Sequence, residues 1–170
     1  PQEVFLFSGT VRENISMGRD QVTQERLEQA LAVTGADQWM ASLPQGLDTP
    51  LGEGARKLSA GQRQLLALAR ALAGGPGVLV LDEATSSVDP ESERLIQQAL
   101  PRVLKNRTSL IVAHRLSTVR YADHILVMQR GRVVEEGGHD ELMAAEGVYA
   151  RLVRLQELEA IKGGFNGNRA

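Results

Sequence analysis

The sequence predicts an α/β fold with a parallel-sheet core that follows a mostly helical part. Two aliphatic runs, at residues 78–81 and 109–113, are typical of strands that are buried on both faces of a parallel sheet. A helix is expected between them at residues 90–104, with Pro101 kinking or ending it near Leu100 because proline cannot donate a backbone hydrogen bond. Strand, helix and strand in this order indicate a βαβ unit with parallel strands.

The remaining elements follow from the same periodicities. Before the βαβ unit, apolar residues at helical spacing predict helices at residues 10–15, 23–34, 37–42 and 61–73, the last of them capped by Ser59. After it, strands at residues 124–128 and 132–136 flank a turn at residues 129–131 and indicate a hairpin. A final helix is expected at residues 148–161, with Leu152, Leu155 and Leu158 on one side.

Composition narrows the function classes. The chain has 170 residues, enough for one cored domain, and carries 19 basic against 21 acidic residues. A net charge of -2 provides no general attraction for nucleic acid, and no nucleic-acid partner is expected. Because cysteine is absent, disulfides, thiolate zinc sites and a cysteine nucleophile are excluded. No aliphatic run approaches the roughly 18 residues that a membrane span requires.

Polar residues that could bind a ligand or take part in catalysis lie at three places in the predicted fold. Asp82 and Glu83 follow the first core strand and His114 follows the second, at the sheet edge where ligands of open α/β sheets gather. Ser59 and Gly61 lie at a helix N-terminus, where free N–H groups and the helix dipole favour a phosphate. Each feature alone also fits a simpler interpretation: a solvated strand end, a chance histidine or a plain N-cap.

Together these residues resemble motifs of ABC ATPases, in the order of that family. Leu-Ser-Ala-Gly-Gln-Arg-Gln at residues 58–64 resembles the signature motif, and residues 78–82 with Glu83 resemble the Walker B strand and its catalytic glutamate. Ser-Ser-Val-Asp at residues 86–89 resembles the D-loop, His114 the switch histidine, and Gln2 the Q-loop glutamine. Residues 2–15 are similar to the Q-loop flank of exporters, so the chain resembles the nucleotide-binding domain of an exporter-type ABC transporter.

The resemblance implies a P-loop NTPase-like (ABC ATPase) fold with a parallel-sheet core and a helical signature subdomain. It divides the chain into a Q-loop and helical signature subdomain at residues 1–74, the Walker B, D-loop and switch-histidine portion of the core at residues 75–162, and a flexible tail at residues 163–170. The N-terminal part of the fold is expected to be missing, because the only lysines are Lys57, Lys105 and Lys162 and none follows the glycine that a P-loop requires.

The resemblance also implies the cofactors and site residues. ATP and Mg²⁺ are expected, with Asp82 and Gln2 near the metal, Glu83 orienting the attacking water and His114 contacting the γ-phosphate. The residues implied to contact nucleotide across a head-to-tail dimer are Ser59, Ala60, Gly61, Gln62 and Asp89. Ala60 replaces the second glycine common in the signature. Glu53 resembles the exporter X-loop only loosely, because Gly54 and Ala55 replace the usual arginine and glycine.

Other expectations concern partners and location. A transmembrane domain upstream on the same polypeptide and a second nucleotide-binding domain are the implied partners, at the cytoplasmic face of the cell membrane. Two alternatives stay open: a soluble ABC-type ATPase of chromosome maintenance, repair or translation, and a non-hydrolysing partner in a heterodimeric transporter, which Glu83 opposes. Arg63 and Arg70 are expected to bridge or solvate the signature helix rather than to bind nucleic acid.

Overall fold

The computed structural model describes residues 4–52, 55, 58–82, 89–113, 116–120 and 122–165. The chain forms two compact units, Pro1–Val112 and Ala113–Ala170. Within the described residues, no helix combines the length and the apolar character that a bilayer span would need.

The first unit contains the predicted βαβ core and the helices that precede it. In chain order its elements are α1 (Val11–Ser16), α2 (Gln24–Thr34), α3 (Asp37–Met40), a 3-10 turn (Gly46–Asp48), α4 (Ala60–Ala73), β1 (Val78–Asp82), α5 (Pro90–Leu104) and β2 (Thr108–Val112). The second unit contains α6 (Leu116–Val119), β3 (Ile125–Gln129), β4 (Arg132–Gly137), α7 (His139–Ala144) and α8 (Val148–Phe165).

Side-chain caps define where the helices of the first unit begin. Thr10, Thr23, Ser59 and Asp89 each accept a hydrogen bond from a backbone N–H in the first turn of α1, α2, α4 and α5, respectively. Such caps satisfy donors that have no partner inside the helix. The predicted starts of these helices agree with the structure within one residue, because an N-cap depends on the residue type directly before the helix.

The core of the first unit lies between α2, α4 and α5. The apolar stripe of α4 is buried, and it packs with buried residues of the two neighbouring helices; the cluster includes Leu27, Leu31, Leu65, Leu66, Ala69, Ala99 and Val103. Leu79 of β1 joins the same cluster. This packing fixes the N-termini of α4 and α5 beside each other, which is the arrangement on which the candidate site depends.

The two core strands are parallel, as predicted, but the expected burial on both faces is wrong for the described part of the chain. Leu79 is buried, whereas Val78 and Val80 are 59% and 63% exposed, and Leu110 of β2 is 57% exposed. The reason is that β1 and β2 form a two-stranded sheet whose described neighbours cover one face only. Residue type correctly predicted the two strands, but it did not predict that only one face of the sheet is packed against other described elements.

Pro101 lies inside α5 and does not end it near Leu100, since the helix continues to Leu104. Proline removes the hydrogen bond to the carbonyl of Gln97, but the last turn is kept by the bond from Lys105 N–H to the Pro101 carbonyl and by buried Val103. The C-terminal helix is also longer than predicted, with α8 reaching Phe165 rather than residue 161.

In the second unit the predicted hairpin is present, with β3 and β4 antiparallel and a bulge between Val127 and Met128. Arg130 and Gly131 have φ values of 51° and 76°, which a two-residue turn matching the strand twist requires. A small core formed by Ile125, Val127, Leu142, Tyr149 and Val153 joins the hairpin to α7 and α8.

Candidate functional site

The first part of the site is the carboxyl end of the parallel strand pair. Asp82 is the last residue of β1 and is exposed, and it lies in register with Val112 at the end of β2. Glu83 follows Asp82 in the sequence, and His114 follows two residues after Val112. Glu83, His114 and Gln2 lie outside the described residues, so their expected roles stay predictions.

The second part is the N-terminus of α4, where the signature-like residues lie. The Ser59 hydroxyl accepts a hydrogen bond from the Gln62 N–H at 3.1 Å, and the Gln62 side-chain oxygen accepts one from the Ser59 N–H at 2.9 Å. This reciprocal capping box fixes the rotamers of both side chains. Because the hydroxyl acts as an acceptor here, its own proton can still be donated to an anion.

Gly61 is constrained by packing between α4 and α5. Its N–H donates to the Ser92 hydroxyl oxygen at 2.8 Å, in a buried contact. A Cβ at position 61 would lie 2.7 Å from the Ser92 Cα, closer than real side chains approach. Glycine is therefore needed for helix packing, and a bond from its N–H to phosphate would require that group to leave Ser92.

Asp89 caps α5 beside this contact. Its carboxylate accepts a hydrogen bond from the Ser92 N–H at 2.9 Å. That backbone N–H, followed by the Ser92 hydroxyl, lowers the pKa of the Asp89 carboxyl. Asp89 therefore carries a stabilised negative charge at the N-terminus of α5, and its partner Ser92 contacts Gly61 of α4. The motifs drew attention to Asp89 and Gly61 but not to Ser92, which joins them.

The donor set can be tested against the expected metal. The described residues contain no group of three or more histidine, cysteine or acidic side chains that could hold a metal ion. Mg²⁺ is typically bound by one or two carboxylates together with waters and substrate phosphates, rather than by an all-protein cage. A single exposed carboxylate at a strand end, as Asp82 provides, fits that mode of binding.

Arg70, near the C-terminal end of α4, bridges the signature helix to the segment around α1, consistent with the bridging role expected for it. Its guanidinium donates to the Asn14 carbonyl at 2.9 Å, the Asn14 side-chain oxygen at 3.2 Å and the Phe5 carbonyl at 3.0 Å. Burial, and then the charge of Arg19, lower the pKa of Arg70. Asn14 is 1% exposed, and it also exchanges hydrogen bonds with both backbone groups of Phe7. No sequence pattern predicted a structural role for Asn14.

Most of this chain is similar to proteins of known family. Residues 1–86 match the ABC transporter family. The chain is 50% identical over 157 residues to ABC transporter B family member 21 of Arabidopsis thaliana, a match that covers 92% of this chain and 12% of that protein. It is 47% identical over 155 residues to the ATP-dependent lipid A-core flippase of Desulfotalea psychrophila, covering 91% of this chain and 27% of the flippase.

A solved structure gives the same answer for the fold. The structure of a bacterial Atm1-family ABC exporter with ATP bound superposes with a TM-score of 0.77 at 39% identity, covering 92% of this chain and 27% of that chain. The chain thus spans between 12% and 27% of the length of these three proteins. The ABC ATPase fold predicted from the motifs is confirmed, and the chain belongs to the ABC transporter family.

Proposed function

We propose that this chain is the ATP-binding and ATP-hydrolysing portion of an ABC exporter that moves a substrate across a membrane. The observation that carries the proposal is the pairing of an exposed strand-end carboxylate, Asp82, with a serine-capped signature helix in one compact unit. The names of the similar proteins, a lipid A-core flippase and an Atm1-family exporter among them, support export over the soluble ATPase alternative.

The residue roles follow the chemistry of phosphoryl transfer, which requires positioning and charge stabilisation rather than a covalent intermediate. Asp82 and Gln2 would hold Mg²⁺, which when bound neutralises charge on the phosphates. Glu83 would orient and polarise the attacking water, and His114 would contact the γ-phosphate. Ser59 to Gln62 would face the nucleotide of a partner subunit, with Asp89 close to the dimer seam.

The proposal includes partners and location. A transmembrane domain on the same polypeptide would convert closure of two head-to-tail nucleotide-binding domains into transport, at the cytoplasmic face of the membrane. The printed sequence contains no Gly-Lys-Ser/Thr loop to cradle phosphates, so this chain alone would hydrolyse little ATP.

The test is Glu83→Gln in the full-length polypeptide to which we propose this chain belongs. The amide keeps the shape of the side chain but cannot accept a proton from water, so ATP turnover should fall by about 10²- to 10⁴-fold. Binding of Mg-ATP, measured by equilibrium titration, should be retained.

Glu91→Gln is the matched control. Glu91 is an exposed carboxylate in the first turn of α5, and its neutralisation should leave ATP turnover within about twofold of the wild type, as expected for a surface change. If Glu83→Gln hydrolysed ATP as fast as Glu91→Gln, Glu83 would not be the base. A wild-type protein without ATPase activity would refute the proposed function itself.

A further inference from the structure

Ser92, in the first turn of α5, lies between two residues of the candidate site. Its side chain is 1% exposed. The Ser92 hydroxyl oxygen accepts from the Gly61 N–H at 2.8 Å, and the Ser92 N–H donates to the Asp89 carboxylate at 2.9 Å. Ser92 is therefore the direct connection between the signature helix and the D-loop-like aspartate.

The hydroxyl group of Ser92 can serve both neighbours at once. A serine hydroxyl has one proton to donate and lone pairs to accept, so it can accept from Gly61 while donating to Asp89. The lowered pKa of the Asp89 carboxyl, to which the Ser92 hydroxyl contributes after the Ser92 N–H, agrees with that direction of donation. Ser92 thus links the Gly61 N–H, through its hydroxyl oxygen, to the Asp89 carboxylate, through its own N–H, and bonds to ionised groups are stronger than neutral ones.

The packing around this chain leaves little freedom. The Ser92 Cα is so close to Gly61 that a Cβ there would lie 2.7 Å away. Ser59 is two residues before Gly61 and caps the same turn of α4, so its position depends on where that turn sits. Without the Ser92 hydroxyl, the Gly61 N–H would be buried without a partner, and the first turn of α4 would shift to find another acceptor.

We propose that Ser92 is a positioning residue for the nucleotide site: it fixes the first turn of α4 against α5, so that Ser59 and Asp89 are presented to nucleotide as one unit. The proposal rests on the proposed function, because it assigns Ser92 a part in ATP binding. Ser92 itself does not contact the nucleotide.

The experiment compares three variants of the full-length polypeptide: Ser92→Ala, Ser92→Thr and Thr34→Val. Ser92→Ala removes the hydroxyl, whereas Ser92→Thr keeps it and adds a methyl group to a tight contact. Thr34→Val is the matched control, since Thr34 is also 1% exposed and, in the part of the chain that the structure describes, its hydroxyl donates to the carbonyls of Ala30 and Leu31 within α2. Melting temperature, kcat and KM for ATP are measured for each.

If Ser92 is a positioning residue, its replacement should change KM for ATP more than kcat, and this change should not simply follow the melting temperature. Ser92→Ala should raise KM for ATP by about tenfold with kcat changed less than about threefold, as expected when a ground-state contact is displaced. Ser92→Thr, which keeps the hydroxyl, should raise KM less than Ser92→Ala does, even if it melts earlier. Thr34→Val should melt earlier with an unchanged KM. In a Ser59→Ala background, Ser92→Ala should add almost nothing to KM, because it acts through Ser59.

A second readout needs no ATP. Amide hydrogen exchange of the peptide containing Gly61 should become at least about tenfold faster in Ser92→Ala than in the wild type, and should stay slow in Thr34→Val, because the N–H loses its acceptor. Unchanged exchange in Ser92→Ala would overturn the proposal, as would a KM increase in Thr34→Val equal to that in Ser92→Ala. An inactive wild type would instead refute the proposed function, and the exchange result would still decide whether Ser92 holds Gly61.

Discussion

Replacing Gly61 with alanine tests the packing at the centre of the site. A Cβ at this position would lie 2.7 Å from the Cα, 2.8 Å from the Cβ and 2.9 Å from the hydroxyl oxygen of Ser92. The nearest of these is a backbone atom, which cannot rotate away. The N-termini of α4 and α5 must therefore separate by roughly 0.7 Å to reach the 3.4 Å at which ordinary contacts begin.

The free energy of this separation can be worked out from its parts. Overpacking a tight contact costs ~1–3 kcal/mol. Lengthening the 2.8 Å bond from Gly61 N–H to Ser92 leaves a buried donor poorly satisfied, which costs a further ~1–3 kcal/mol. Alanine returns up to ~1 kcal/mol through its higher helix propensity. The net destabilisation should be about 2–4 kcal/mol, since the two costs arise from one displacement and are not fully additive.

The assay is the melting temperature of the full-length polypeptide, with Ala60→Gly as the control. At ~2–4 °C per kcal/mol for a domain of this size, Gly61→Ala should melt about 5–15 °C below the wild type. Ala60 begins the same helix but its replacement removes atoms, so the cost should stay under ~1 kcal/mol. If Gly61→Ala melted together with Ala60→Gly, the close approach of α4 and α5 would not be the reason for glycine.

Three further predictions concern other parts of the chain. Asn14→Ala removes the hydrogen-bond partner of both backbone groups of Phe7 and should destabilise the first unit by ~1–3 kcal/mol, measured as a lower melting temperature. The N–H groups of Tyr149 and then Val148 lower the pKa of Glu135, so its stabilising effect is present above the ordinary value of 4.5 and is lost as pH falls through the depressed pKa. The melting temperatures of wild type and Glu135→Gln should therefore differ most above the ordinary value of 4.5 and converge as the pH is lowered through the depressed pKa. Titration calorimetry of Mg-ATP into the 170-residue chain should show no tight site, and sub-micromolar affinity would contradict the importance of the P-loop.

Much of the fold could be predicted because its signals are local. Ser59 and Asp89 are good N-cap residues directly before helical patterns, and both cap helices in the structure. The strand order was predictable because two aliphatic runs separated by a helix have few arrangements other than a parallel pair. The cover of the sheet was not predictable in this way. Val80 belongs to an aliphatic run that is typical of a strand buried on both faces of a sheet, yet in the described structure it is 63% exposed. Residue type shows which environment a side chain favours, but it does not show which elements pack against the strand.

The candidate site shows the same division between local and long-range signals. Ser59 and Gly61 were predicted because they lie at a helix N-terminus, and Asp89 because residues 86–89 resemble the D-loop of ABC ATPases. Ser92 could not be found that way: it lies 31 residues from Gly61, and a serine in the first helical turn after an Asp-Pro pair is ordinary N-terminal chemistry. Only the packing of α4 on α5 turns that serine into the acceptor for a buried N–H. Gly61 and Ser92 require each other. Gly61 has no side chain and so lets α4 and α5 approach closely, and the Ser92 hydroxyl accepts a hydrogen bond from the Gly61 N–H that this approach buries.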